Sequence, residues 1–544
     1  MPSNDPLLIP GAEEVKVRLY GQGLGDCFLL AFPTLEGSAE KATYMVIDCG
    51  AAKSTPERRD RAEAVVEDIS AATGGRIDAL VVTHQHFDHI SGFQDAWEAW
   101  SRMEIGALYL PWTESGAESG EFASAKRRRD ALERAAKKTL ELLRRDDVLD
   151  LLPELRAEAD FLGVAADGDP PSDMDETMEF IRSLCPDEIH YFEPGDVFRL
   201  PGSDCHGYVL GPPLADTEAP DGKRYIELLV DEDDEVMYNY GQLGMEVDHG
   251  KPGGSTAFAL SDDSSLPALA SSLMLDGEAD RSSDEAWSPF ESGVRLDWDA
   301  AMKTSFFQDH YGGAVRGRET RGLNGSWRRV DDDWLLAASR LALRAGNFTN
   351  NLSLVLAFDV PGSDRMLLFP GDAQVGNWLS WHTIDRWRPR GDARPANPPT
   401  ANGDQTLMEN LLSRVSFYKV GHHGSHNATI RNQGLEAMTR EDLAAYVPVS
   451  VPVAQDRMGY CPMPFYPVMR ALHRRAAGRV FLPSGKTVRF GESAKLDAEA
   501  AAKHDRRMLK QAGLTRSKQQ QPAIANSTRF PEPGYPLYLE LTVG

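Results

Sequence analysis

Residues 77–83, Ile-Asp-Ala-Leu-Val-Val-Thr, run straight into His84-Gln85-His86-Phe87-Asp88-His89. The first seven are short, apolar and bounded by polar residues, which predicts a buried strand. The six that follow hold three imidazoles and a carboxylate. Such a set cannot all face one way on a regular helix or strand, but on a strand-end loop the side chains can converge. Imidazole nitrogens suit Zn²⁺, Mn²⁺ or iron, and a carboxylate ligates or orients a bound water. The stretch therefore reads as a metal site at the end of a buried strand.

Outward from it the pattern is α/β. Residues 14–32 alternate and then run apolar around a glycine turn, which predicts a hairpin. A short strand over 43–48 ends on an acid, and an amphipathic helix over 57–72 leads to the strand of the motif. Residues 119–160 read as helix, with Leu132, Ala136, Leu140 and Leu143 on one stripe. Lys and Arg at 126–129, 134, 137, 138, 144 and 145 surround that stripe as a solvated or a phosphate-contacting face. Further strands are expected at 196–201, 206–210, 352–360, 365–369 and 415–420, the last ending at a second histidine cluster. A helix near 331–345, strands at 445–453, 479–482 and 487–490 and a helix at 465–477 complete the pattern. From about 493 the chain reads as a charged, Gln-rich tail with a final strand near 537–543.

Of the 544 residues, 41% are hydrophobic and 26% charged, the profile of a globular chain rather than a disordered one. No run reaches the roughly 18 apolar residues of a membrane span. The N-terminus lacks the basic and apolar regions of a signal peptide. The five cysteines are scattered and form no Cys-x-x-Cys pair, so a reducing, cytoplasmic setting is expected. The formal net charge of −25 by itself argues against a polyanion partner. Residues 214–300 nevertheless carry 21 acidic against 5 basic side chains, so one segment sets most of that number. It reads as an inserted acidic segment or lid, followed by arginines at 316, 318, 321, 328 and 329.

The motif at 84–89 resembles the signature of the metallo-β-lactamase superfamily. That resemblance implies an αββα sandwich with a helical segment and, in this chain, a large acidic insertion. It also implies two divalent metal ions, Zn²⁺ or Mn²⁺, at one edge of the paired sheets. By the same likeness His84 and His86 match ligands of one ion, and Asp88 and His89 ligands of the other. Asp372, in Phe369-Pro370-Gly371-Asp372-Ala373, matches the acid that bridges both ions. Asp48 matches an acid that supports the site. In Gly421-His422-His423-Gly424-Ser425 the two histidines compete for the last ligand position, with His422 favoured.

Segments between these ligands resemble more narrowly the soluble nuclease domain of the DNA-uptake protein ComEC. They are Gln22-Gly23 with 25–30 (Gly-Asp-Cys-Phe-Leu-Leu), Val209-Leu210-Gly211-Pro212, 350–356 (Asn-Asn-Leu-Ser-Leu-Val-Leu) and 419–425 (Lys-Val-Gly-His-His-Gly-Ser), in that family's order. The channel of that family is absent, so the likeness implies a stand-alone relative. Asn350-Asn351 stands where most of the superfamily has a further metal-binding histidine, which makes one metal site richer in oxygen. Cys461-Pro462-Met463-Pro464 replaces that group's late His-Pro pair.

The organisation so implied has a first half at 1–213 with a helical insertion at about 104–185. An acidic insertion and linker at 214–345, a second half at 346–492 and a C-terminal tail at 493–544 follow. Two cations lower the pKa of a shared water toward neutrality and neutralise charge on a phosphate. Asp88 would orient the nucleophile or take its proton, Asp48 would support the site, and His423 would donate to the phosphoryl oxygen or leaving group. The expected function is a two-metal phosphodiesterase acting on nucleic acid, DNA above all, without a membrane partner. The acidic insertion would keep it latent until a regulatory protease or partner protein releases it, as in an antiphage effector. The alternatives are a hydrolase of a small ester or phosphodiester and a non-catalytic metal-binding module, since fold alone does not fix chemistry. The remaining histidines, His473 among them, lack metal-ligand spacing.

Overall fold

Strand 27–32 shows why these sequences build stacked layers. Phe28, Leu30 and Phe32 point to one buried face and Cys27, Leu29 and Ala31 to the other, so the strand is apolar throughout. A computed structural model describes residues 7–115 (except 36, 39, 54 and 56), 121–145, 159–164, 174–228, 236–238, 303–305, 333–454 (except 452), 463–518 and 536–544. Most of the acidic stretch 214–300, the arginines at 316–329 and Cys461-Pro462 lie outside the described residues.

The chain starts the first sheet with β1 (Val15–Tyr20), β2 (Cys27–Phe32), β3 (Thr43–Cys49), β4 (Ala79–Val81), β5 (Leu108–Pro111) and β6 (Ile189–Phe192). The second sheet comprises β7 (Asp196–Arg199), β8 (His206–Gly211), β9 (Val355–Asp359), β10 (Met366–Phe369), β11 (Arg388–Pro389), β12 (Val415–Lys419), β13 (Ala444–Tyr446) and β14 (Val480–Phe481). The C-terminal β15 (Leu514–Arg516) and β16 (Tyr538–Val543) return to the first. The orders are β15-β16-β1-β2-β3-β4-β5-β6 and β11-β7-β8-β9-β10-β12-β13-β14.

The sheets pack face to face through an apolar layer in which Phe28 meets Phe369 at 5.5 Å and Phe32 meets Phe358 at 5.5 Å between ring centroids. Helices α1 (Arg58–Thr73), α2 (Phe87–Asp95), α3 (Glu121–Arg145) and α4 (Met174–Leu184) add to the core on the outer face of the first sheet. Helices α5 (Asp333–Asn351), α6 (Val375–Ser380), α7 (Leu407–Ser413) and α8 (Tyr466–Arg475) follow, and α6, α7 and α8 cover the second sheet. Helix, sheet, sheet and helix layers are thus those expected from the sequence. Among the described residues no helix is long and apolar enough to cross a membrane.

Several elements differ from expectation. The helix expected near 331–345 extends to Asn351, so the Asn350-Asn351 pair forms its last turn. The strand expected over 445–453 stops at Tyr446, because Pro448 cannot donate to a ladder. At 487–490 only Thr487 bridges to Phe481. Residues 498–511, read as charged tail, form helix α9 (Ala498–Gln511). Asp497 caps it by accepting from Ala500 N at 2.8 Å, and only Ala501, Met508 and Leu509 are buried, too narrow a stripe to stand out among charges.

Strand β16 pairs along the whole length of β1, so the first sheet is incomplete without the C-terminus. Leu539 is fully buried between the sheets. Leu539→Ala is expected to cost about 2–5 kcal/mol in urea unfolding. A loss near zero would show that β15 and β16 are detachable from β1.

Candidate metal centre

The parallel segments of both sheets end at the same place. In the first, β3 runs into Asp48 and β4 into Thr83-His84; in the second, β10 runs into Gly371-Asp372 and β12 into Lys419 and the histidine pair. Crevices at such carboxyl ends are where α/β sheets bind ligands. Gly371 adopts φ +55°, and a Cβ there would lie 3.1 Å from Thr83 Cβ and 3.0 Å from Ser353 Cβ. That close approach brings the Asp372 turn against the first motif.

Asp48, at φ 56°, accepts from Thr83 N at 2.8 Å and Thr83 Oγ1 at 2.7 Å, and its Oδ2 lies 2.8 Å from His89 Nδ1. Donation of Nδ1–H to this carboxylate fixes the ring and turns Nε2 inward. His86 stands at the N-terminal boundary of α2, whose first turn holds Asp88 and His89. The rings of His84 and His86 lie 4.8 Å apart, and those of His84 and His89 4.2 Å. His84 Nε2, His86 Nε2, Asp88 Oδ1 and Asn350 Oδ1 are buried without a hydrogen-bond partner, and His89 Nε2 lies 3.2 Å from Asp372 Oδ2. Buried polar atoms are rarely left so.

Asp88, His89, Asp372 and His423 each offer a ligand atom within 4.8 Å of the others, as do Asp26, Asp48 and His89. His423 Nδ1 lies 2.8 Å from Pro448 O, and its Nε2 lies 2.8 Å from Asp88 Oδ2. His422 turns elsewhere: Nδ1 is 2.9 Å from Ser425 Oγ, and Nε2 is 3.5 Å from Asn350 Nδ2. The sequence favoured His422 as ligand and His423 as hydrogen-bond donor, whereas the geometry joins His423 to Asp88. Both residues are left-handed, at φ 41° and 52°, and this turn decides which ring faces inward. His84, His86, Asp88, His89, Asp372 and His423 thus converge. Asp48 stands behind His89, and His422, 8% exposed, sits at the rim.

Two charged residues at this centre had no role in the sequence reading. Lys419, 1% exposed, pairs with Asp26 and reaches Gly371 O at 2.7 Å and Asp372 Oδ1 at 3.2 Å. Each is a charge set in an otherwise apolar buried run, and that was the available signal. Burial opposes charge on Lys419, but Asp26 and Asp372 outweigh it and hold the ammonium well above the ordinary lysine range. Burial holds His84 well below the usual imidazole value and pushes His86 down to about 4. His89 is also opposed by burial, yet Asp372, Asp88, Asp48 and Asp26 raise it well above that value.

The neutral imidazoles of His84 and His86 beside four buried carboxylates suit a divalent cation, which satisfies orphaned nitrogens and oxygens together. Carboxylate and amide oxygens beside the nitrogens are compatible with Zn²⁺ and Mn²⁺ alike.

Phe161 covers this cluster. Its ring stacks on His86 at 6.5 Å and on His423 at 5.9 Å, and lies 5.6 Å from His422. Helix α3 is pinned alongside. Glu114 accepts from Gln85 Nε2 at 2.6 Å and pairs with Arg129, while Thr349 Oγ1 donates to Glu133 at 2.6 Å. Arg129, 2% exposed, therefore belongs to this buried network, whereas Arg127, Arg128, Arg134 and Lys138 remain exposed.

Residues 23–106 match the family model described as the Metallo-beta-lactamase superfamily. The matched segment contains Asp26, Asp48 and the whole of 84–89. Members of that superfamily are metal-dependent hydrolases. No curated protein and no solved structure matches the chain.

Because Asp48 orients His89 through Nδ1, Asp48→Asn is expected to weaken divalent-ion affinity about 10–100-fold. Competition with a chromogenic chelator measures this. Unchanged affinity in a folded variant would remove Asp48 from the support of the centre.

Proposed function

We propose that this chain is a two-metal phosphodiesterase that hydrolyses nucleic acid, with DNA the favoured substrate. The observation that carries the hydrolase part is the convergence of orphaned imidazole nitrogens and carboxylate oxygens around Asp372. The nucleic-acid part rests on the likeness of the segments around Asp26, Asn350 and Lys419 to the ComEC nuclease domain.

In this reading His84, His86, Asn350 and Asp372 would hold one cation, and Asp88, His89, His423 and Asp372 the other. Bound cations would supply an ionisable water near neutral pH and neutralise charge developing on the phosphoryl group. The side chains do the rest. Asp88 Oδ2 and His423 Nε2 stand side by side, where both would hold the second cation, and Asp88 Oδ1 is left to take the nucleophile's proton. Lys419 fixes Asp372 through Oδ1, leaving Oδ2 toward the centre. His422, the most exposed of these imidazoles, is kept neutral by burial, which pushes it down to about 4, and would orient Asn350 and Ser425 rather than supply a proton. Phe161 stacks over His86 and His423. That cover favours a second reading, hydrolysis of a small ester or phosphodiester.

Protein loaded with Mn²⁺ or Zn²⁺ should nick or degrade plasmid and linear DNA, and EDTA should abolish this. Turnover confined to a small chromogenic phosphodiester or ester would establish the second reading, and inertness of metal-loaded protein toward all of them would overturn both. Asp88→Ala and His84→Ala should each lower turnover about 100-fold or more while keeping the wild-type melting transition. Near-wild-type rates at full metal content in either variant would contradict the assigned site.

A further inference from the structure

Between His84 and His86 stands Gln85, a buried side chain that turns away from the metal centre. Successive side chains of an extended segment project to opposite sides, and His86 is extended at φ −74° and ψ 149°. The rings of His84 and His86 accordingly meet at 4.8 Å, while Gln85 donates from Nε2 to Glu114 Oε2 at 2.6 Å. A carboxylate only accepts, so this contact fixes which way the amide points. Glu114 is held in turn, since Arg129 of α3 pairs with its Oε1 and Arg182 of α4 reaches its Oε2 at 3.2 Å. One helical turn along α3 from Arg129, Glu133 accepts from Thr349 Oγ1 at 2.6 Å. Thr349 directly precedes Asn350, whose Oδ1 is buried without a hydrogen-bond partner.

One face of α3 therefore grips both segments that carry His84, His86 and Asn350. The remaining ligands lean elsewhere: His89 Nδ1 lies 2.8 Å from Asp48 Oδ2, and His423 Nδ1 lies 2.8 Å from Pro448 O. Glu114, Arg129 and Glu133 are all buried. Burial opposes charge on Arg129, and Glu114 and Glu133 hold its guanidinium charged. Apolar residues of similar volume in place of a buried ion pair often cost no stability, so packing does not account for these charges. The helix that carries them is itself fixed. Leu132 packs with Phe348 and Leu352, and Ala136 and Leu140 share a core with Ala342 and Ala345 of α5.

We propose that Glu114, Arg129 and Glu133 are positioning residues for a single cation, the one held by His84, His86 and Asn350. They act through Gln85 and Thr349 to aim its ligands, and they leave the cation of Asp88, His89 and His423 to its own supports. The inference rests on the two-metal reading above and gives α3 a task within that centre. Asn350 offers its cation only an uncharged oxygen, so ligands fixed in advance matter most there.

The test uses the full chain and the metal alone, Mn²⁺ or Zn²⁺, in equilibrium dialysis. Gln85→Met and Thr349→Val each remove one donor with little change of shape. They leave Glu114 paired with Arg129 and Glu133 near the same charge, so both should fold as wild type. The wild-type chain should take up two ions. In each variant one ion should keep its affinity and the other weaken about tenfold or more, the scale seen when the support of a ligand is lost. Thr349→Ser keeps the hydroxyl and should bind both ions as wild type does. A cycle identifies the affected ion. In a His84→Ala background the remaining ion should be indifferent to Gln85→Met, and in an Asp88→Ala background it should weaken by the same factor as before. Equal weakening of both ions, or of neither, in folded Gln85→Met and Thr349→Val would overturn the selective role and leave the two-metal centre standing. Uptake of one ion or none by the wild-type chain would overturn the two-metal reading and the inference with it.

Discussion

Four carboxylates, those of Asp26, Asp48, Asp88 and Asp372, are buried around one point, and the structure of the strand ends depends on compensating them. An isolated buried charge is too costly to persist. Lys419 meets part of this demand from inside the protein through Asp26 and Asp372, and Thr83 satisfies two acceptor positions of Asp48. His89 meets Asp372 at 3.2 Å, and Asp88 Oδ1 is left over beside the unpartnered nitrogens of His84 and His86. An excess of acceptors aimed at a common point is the electrostatic signature of a cation site. The left-handed residues Asp48, His422 and His423 cluster here for the same reason, since strained backbone survives only where its surroundings fix it.

This arrangement requires both sheets. The first supplies Asp48 and the run from His84 to His89; the second supplies Asp372, Lys419 and the histidine pair. Their alignment is held by the aromatic layer of Phe28, Phe32, Phe358 and Phe369, so a packing error between sheets would misplace one half of the centre against the other. The C-terminal strand closes the first sheet against β1, and through Arg18, which pairs with both Asp68 and Glu540, it is tied to α1 as well. A chain end far from the histidines in sequence is therefore part of what fixes them.

The sequence was informative wherever a buried strand ended on a chemical motif. Apolar runs before His84, Asp372 and His422 are read by composition alone, and the histidine-rich turn has little other use. It was uninformative where one turn of backbone decides. His422 and His423 are neighbours of identical type, and only their left-handed geometry directs His423 to Asp88. Lys419 and Asp26 were passed over because buried charge shows itself by its partner, and the partner lies some 390 positions away in the chain. The helix expected near 331–345 stopped short of Asn350; packing of α5 against α3 carries that helix to the centre. Helix α9 was hidden by its charges.

The central claim is that Asp372 lies between two cation sites and that His423 faces one of them. Anomalous diffraction from crystals grown with Mn²⁺ measures this directly. The expected result is two peaks per chain, one near His84, His86 and Asn350 and one near Asp88, His89 and His423, with Asp372 in contact with both. A peak beside Asp26 and Asp48 alone, or a ligand position filled by His422 in place of His423, would contradict it.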